Sequence, residues 1–167
     1  MRLLAPVVVS LSLGCTYDFD GYLPRGQAAD SGTTTDTAGG DTASGCAEPG
    51  AKSFGGHCYF PTGAALAWDA AKAACESAGG HLATVASSAE ETAVESVGSG
   101  DRWIGLTRPT GSPTRADSFK WVTGETMTYL KWGPGQPSGA GECGAVRNGG
   151  SWSDIACATA LVAICER

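Results

Sequence analysis

Between Trp132 and Cys165 the chain gathers the residue types that could do chemistry: Gln136-Pro137-Ser138, Glu142-Cys143, Trp152-Ser153-Asp154, Cys157 and Cys165. If Cys143 paired with Cys157, Glu142 and Asp154 would be drawn together beside the Gln-Pro-Ser turn. Two carboxylates among amide and hydroxyl oxygens make the all-oxygen cluster that hard cations such as Ca²⁺ prefer. Pro137 is a candidate for a cis peptide, which would turn Gln136 and Ser138 toward one side. The plainer alternative is a Gly/Pro-rich surface loop stapled by a disulfide, and composition alone favours it. Catalysis is poorly served. Glu142 and Asp154 could be imagined as a glycosidase pair, but a loop-borne pair without a deep cleft suits metal binding better. No Gly-x-Ser-x-Gly, His-Glu-x-x-His or Cys-x-x-Cys occurs, and neither His57 nor His81 has an evident carboxylate partner. The chain is not expected to be an enzyme.

The elements that must position this stretch lie upstream. Cys46 and Cys58 flank a turn-rich segment that suits a disulfide-closed hairpin returning along Cys58-Tyr59-Phe60. Trp68, Ala71, Cys75 and Ala78 recur at helical spacing, and Gly79-Gly80 ends that helix. Ser87 with Glu90, and Ser88 with Glu91, form two overlapping capping boxes, so a second helix starts there and ends by Gly98. Trp103-Ile104-Gly105-Leu106 reads as a short buried strand, Phe119 to Val122 as an alternating one, and Leu161 to Cys165 as the last. Thr128 to Trp132 is a further strand candidate. Two early helices followed by short strands indicate an α+β domain.

Size and charge narrow the function. A chain of 167 residues, 42% hydrophobic, can bury a core and carry more besides. The formal net charge of −6, with no run of Lys or Arg, makes nucleic acid a poor partner. Seven cysteines imply an oxidising compartment, and the odd one is Cys15. Met1-Arg2, the apolar run Leu3 to Leu13, and Gly14-Cys15 together resemble a bacterial lipoprotein signal, cleaved before a Cys15 that then carries lipid. The run is too short to span a membrane, which takes about 20 apolar residues. Residues 15–45 contain a stretch of Gly, Thr, Ala, Ser and Asp without large apolar side chains, and read as a flexible tether. The organisation expected is a signal over 1–14, a lipidated Cys15 with its tether over 15–45, and one globular domain over 46–167.

The ordered motifs of that domain resemble a C-type lectin-like domain. They are the Cys46 to Cys58 hairpin with Gly-Gly-His-Cys-Tyr, Trp68 to Cys75, Gly79-Gly-His-Leu-Ala-Thr-Val, Trp103-Ile-Gly-Leu, Phe119-Lys-Trp, Trp132-Gly-Pro-Gly-Gln-Pro-Ser, Glu142-Cys, Trp152-Ser-Asp and Ile164-Cys-Glu. The resemblance implies two helices, short antiparallel sheets and a long loop region, braced by Cys46–Cys58, Cys75–Cys165 and Cys143–Cys157. It also implies that Trp68, Trp103, Trp121 and Trp152 belong to the core.

Lectins of this family hold Ca²⁺ at the long loop, and the ligating oxygens also bind two sugar hydroxyls. The matching positions are Gln136, Ser138, Glu142, Ser153 and Asp154, which form the expected Ca²⁺ and sugar site. Serine stands at 138 and 153 where the family pattern has an amide or carboxylate, and a hydroxyl is a poorer Ca²⁺ ligand. Two functions follow from the resemblance. One is a surface-anchored module binding carbohydrate or glycoconjugate with Ca²⁺. The other is a Ca²⁺-independent adhesin of the same fold that binds a surface protein. Either would sit in a bacterial cell envelope, held to the membrane only by lipid on Cys15 and exposed outside the cytoplasm, or be secreted.

Overall fold

The computed structural model describes residues 46–167. The proposed signal, tether and lipidated Cys15 lie outside the described residues.

The first elements are β1 (Lys52–Phe54) and β2 (His57–Pro61), antiparallel with Phe54 opposite His57. A two-residue hairpin loop needs positive φ at both positions, and Gly55 and Gly56 supply 60° and 91°. Helix α1 (Trp68–Ser77) buries Trp68, Ala71 and Cys75 along one stripe. It stops where Gly79 turns to φ 80°, with Gly79 N–H bonded to Glu76 O and Gly80 N–H to Cys75 O. That pair of bonds is a Schellman stop, which a residue with a Cβ would strain. Strand β3 (His81–Leu82) follows, then α2 (Ser88–Glu95). Ser87 caps α2 by accepting from Glu90 N–H, while the Glu90 carboxylate reaches one residue further back, to Ala86 N–H at 2.7 Å, and also accepts from the Tyr59 hydroxyl.

Strand β4 (Arg102–Thr107) is the middle of the sheet. It pairs antiparallel with β5 (Lys120–Trp121) and β6 (Cys143–Val146), while β7 (Trp152–Ile155) extends β6. Strand β8 (Val162–Glu166) lies parallel to β4 and antiparallel to β2 and β3, giving the order β1-β2-β8-β4-β6-β7. The sheet is therefore mixed, with one parallel pair among the antiparallel ones.

Both faces are buried, and strand alternation sorts the side chains between them. Tyr59, Ile104, Leu106, Val146, Trp152 and Ile164 share one cluster with Val94 of α2, against which Met127, Tyr129 and Trp132 of the long loop pack. Phe60, Trp103, Ala145, Ala163 and Cys165 share the other with Trp68 and Cys75 of α1. Disulfides join Cys75 to Cys165 across 90 residues, Cys143 to Cys157, and Cys46 to Cys58.

Two sequence expectations need correction, and two strands went unread in the sequence. Thr128 to Trp132 forms no strand; its one ladder contact is an isolated bridge between Trp132 and Trp152. Strands β6 and β7 were hidden because Cys-Gly-Ala-Val and Trp-Ser-Asp-Ile are too short and too glycine- or serine-marked to show a strand period. His57 and His81 both face a carboxylate after all. Glu166, 3% exposed, lies 2.9 Å from His57 Nδ1 and 3.9 Å from His81 Nδ1, and accepts from Thr84 N–H and Oγ1.

Gly105 in β4 shows how tightly the sheet is crossed: a Cβ there would stand 2.6 Å from Leu82 O and 2.8 Å from Val122 Cγ2. Gly105→Ala is expected to lose about 1–3 kcal/mol in urea unfolding, the ordinary cost of overpacking. Gly63→Ala, where a Cβ meets nothing within 4 Å, should change stability little, and equal losses at both positions would refute the crowding argument.

Candidate functional site

The site is built where the long loop returns to the sheet. Trp152 N–H donates to Lys131 O and Gly133 N–H to Trp152 O, so the chain before Gln136 is stitched to the start of β7. Trp132 then packs edge-on against Phe119 at 4.9 Å and Trp152 at 6.1 Å, and Tyr129 and Trp121 also stand edge-on to Trp152. Edge-to-face contacts of this kind fix ring orientation as well as burying area. Trp132 is half-buried in this stack. Trp68, Trp103, Trp121 and Trp152 are all buried.

Trp152 is also held by an acid. Its indole N–H donates to Glu91 Oε2 at 2.9 Å, and Glu91 is 1% exposed. Burial pushes the Glu91 carboxyl up to about 7, against the opposing pull of the Trp152 bond and of Lys131. Lys131 pairs more closely with Glu95.

From Gly133 the loop turns, with Gln136 N–H on Gly133 O, and the Gln136–Pro137 peptide is cis. The next residues wrap around Asp154. Asp154 Oδ1 accepts from Ser138 N–H and from Ser138 Oγ at 3.0 Å; Oδ2 accepts from Gly139 N–H at 2.7 Å and Gly141 N–H at 3.2 Å. Asp154 N–H in turn donates to Gln136 Oε1 at 3.2 Å. Asp154 is 2% exposed. Burial by itself would raise its carboxyl, but the bonds from Ser138, Gly141 and Gly139 outweigh burial and hold it below the usual carboxylate range. Gly141 permits the wrap: a Cβ there would collide with Ile155 O at 1.9 Å.

Beside this clamp lies an open recess of about 460 Å³ whose walls include Gln136, Ser138, Arg147, Ser151, Ser153 and Thr159. Gln136, Ser138, Ser153 and Asp154 thus come together, and Ser153 Oγ is buried without a hydrogen-bond partner among the described residues. Glu142 is not among the lining residues. Its backbone carbonyl accepts from Arg108 N–H and Thr107 Oγ1, fastening the far end of the loop to β4. Arg147, Ser151 and Thr159 are wall residues that sequence reasoning passed over. Asn148-Gly149-Gly150 signals the turn that presents Arg147 and Ser151, but nothing local shows which cavity that turn borders.

The donor set can be tested against Ca²⁺, which takes six to eight oxygens. Both Asp154 oxygens already accept two hydrogen bonds each, and Gln136 Oε1 accepts one. Ser138 is a donor toward Asp154, whereas an acid at 138 could only have repelled it without a cation between them. No three His, Cys, Asp or Glu side chains among the described residues are placed to hold a metal. Gln136, Ser138, Glu142, Ser153 and Asp154 as they stand do not fit the Ca²⁺ site expected of them, because the loop's own amides fill the role of the cation.

Comparison with known proteins places these observations. The family model described as the lectin C-type domain matches residues 64–167. Versican core protein of Homo sapiens is 33% identical over 120 residues, covering 68% of this chain and 3% of that protein. The chain thus spans only a small fraction of that relative's length. The carbohydrate-recognition domain of cow CD23, solved in the presence of a GlcNAc2Man3 oligosaccharide, superimposes with a TM-score of 0.64 at 28% identity, over 71% of this chain and 92% of that one. A calcium-independent type II antifreeze protein gives 0.64 at 27% identity, over 71% and 91%.

Two outcomes follow from the buried acids. Asp154→Asn replaces an acceptor oxygen by a donor and strands loop amides. It should cost about 2–3 kcal/mol, within the range for hydrogen bonds to charged groups, and speed hydrogen exchange at Gly139 and Gly141. Since the folded Asp154 carboxyl is depressed, its contribution is present above its ordinary 3.8 and lost as pH falls through the lower folded value. Glu91 has the opposite sign: its folded value is raised, so stability falls as pH rises from about 4.5 to about 7. Glu91→Gln keeps an acceptor for Trp152 and should flatten that part of the pH–stability curve; an unchanged slope would refute the assignment.

Proposed function

Because the chain belongs to the C-type lectin domain family, we propose that residues 46–167 are a binding domain that takes carbohydrate or glycoconjugate in the recess beside Gln136 and Ser138, and does so without Ca²⁺. The observation that carries the Ca²⁺-independent reading is the Asp154 clamp. In a metal-built site the cation orders the loop and presents it to ligand; here four hydrogen bonds to one buried carboxylate do the ordering. The recess has the size of a small-ligand site, and neutral hydroxyl and amide groups on its wall suit sugar hydroxyls. Cow CD23 with its oligosaccharide supports the ligand class, and the calcium-independent antifreeze protein supports a metal-free variant of the fold.

Three disulfides support an oxidising compartment, outside the cytoplasm. We assign residues 1–14 as a signal, Cys15 as a lipid-anchored residue and 15–45 as its tether, on the motif in the sequence. The tether would hold the binding domain clear of the envelope surface.

A second reading, binding of a surface protein, draws on a different feature. An apolar recess of about 620 Å³ opens between 115–120 and 124–130, with Phe119 and Met127 in its lining and Leu130 54% exposed beside them. Exposed apolar surface of this kind suits a protein partner better than a sugar.

The deciding experiment is glycan-array binding by the oxidised full chain with and without chelator, beside a Ca²⁺ titration. Chelator-insensitive glycan binding is expected, together with no saturable Ca²⁺ heat up to millimolar concentration. Thr159→Trp, which fills the first recess, should abolish glycan binding, and Leu130→Asp should leave it unchanged. Loss of binding in chelator would overturn the metal-free mechanism.

A further inference from the structure

The charge inside the first recess is not that of the chain. The molecule carries a formal net charge of −6, yet among the described residues the only charged ones lining the recess are Arg147 and Asp154. Asp154 is turned inward, 2% exposed, with both oxygens saturated by loop donors. The charged residue of the lining left accessible is therefore Arg147, whose side chain is 46% exposed.

Arg147 is also held in place. Its backbone N–H donates to Ser151 O and its carbonyl accepts from Gly150 N–H, both at 2.8 Å, across the turn between β6 and β7. Its Nη1 pairs with Asp101 Oδ2 at 3.0 Å, while Asp101 Oδ1 accepts from Asn148 N–H. Asp101 thus takes one nitrogen of the fork, and the remaining guanidinium donors have no protein partner among the described residues. A guanidinium can serve two anions at once from different edges, and such charge-assisted, forked bonds are the strong and geometrically selective ones. Ser153 Oγ, buried and without a partner, lies in the lining of the same recess and offers a further group for a ligand oxygen.

From these observations we infer that Arg147 is a specificity-determining residue that makes the recess select sugars bearing an anionic group, a carboxylate or a sulfate, over their neutral counterparts. This rests on the reading of the recess as a glycan site. Neutral hydroxyl and amide groups bind the sugar ring, and Arg147 reads the substituent. The chain's overall negative charge repels anions at long range, so the preference comes from contact and not from steering, and it adds to ring recognition instead of replacing it.

The test uses the oxidised full chain in chelator, with two matched pairs of oligosaccharides. One pair ends in glucuronate or glucose, the other in sulfated or unsulfated galactose. The wild-type chain should bind at least one acidic member about tenfold more tightly than its neutral partner, and the arm that shows the preference identifies the anion. Arg147→Gln should remove the preference while keeping the thermal midpoint, Arg147→Lys should retain part of it, and Asp101→Asn, which frees the guanidinium, should enlarge it. Equal affinity for acidic and neutral members, or a preference that survives Arg147→Gln, would overturn the role of Arg147 and leave the glycan site standing. Failure of all four sugars to bind, with the chain folded, would overturn both.

Discussion

The constraint on which the candidate site depends is the burial of a single ionised carboxylate. Asp154 sits at 2% exposure on β7, and an acid there is tolerable only if strong donors surround it. The loop provides them from Ser138, Gly139 and Gly141, while Gln136 returns a bond to the Asp154 N–H. The electrostatic need of one residue thereby sets the path of about six others. A loop rich in glycine and proline, which would otherwise be loosely specified, acquires one shape.

That clamp would hold nothing in place if β7 itself moved. Trp152, two residues before Asp154, is the centre of an aromatic stack with Trp121, Tyr129 and Trp132, and its one polar atom is bonded to Glu91 of α2. Cys143–Cys157 ties β6 to the turn beyond β7. The site is thus connected to the opposite side of the domain through packed rings and a buried acid, not through exposed ion pairs that are worth little. The two buried carboxylates are managed differently. Asp154 is kept charged by hydrogen bonds, whereas Glu91, with fewer donors, is pushed toward its neutral form.

The same logic closes the domain elsewhere. Glu166, buried beside both histidines and Thr84, lies next to the point where Cys58 and Arg167 exchange backbone hydrogen bonds. Cys75–Cys165 fastens the same strand to α1. The two ends of the described chain are consequently adjacent.

The division between sequence and tertiary structure follows from the range of the forces involved. Helical spacing at Trp68, Ala71 and Cys75, the stop at Gly79-Gly80, the cap at Ser87 and the strand around Ile104 are short-range effects, and neighbouring residues alone determined them. The ordered cysteines and tryptophans, taken with the family resemblance, gave the architecture around them. The candidate site was only half legible. Gln136, Ser138, Ser153 and Asp154 were identifiable by type and position, but their roles were not. Which partner satisfies Asp154, a cation or the backbone of Ser138, Gly139 and Gly141, depends on distances set by the whole fold. The same holds for Arg147, an ordinary turn residue in the sequence, and for Glu142, which the register of β6 leaves out of the recess. A carboxylate's type is written in the chain, but its hydrogen-bond partners are decided by which backbone donors the packed loop brings within about 3 Å.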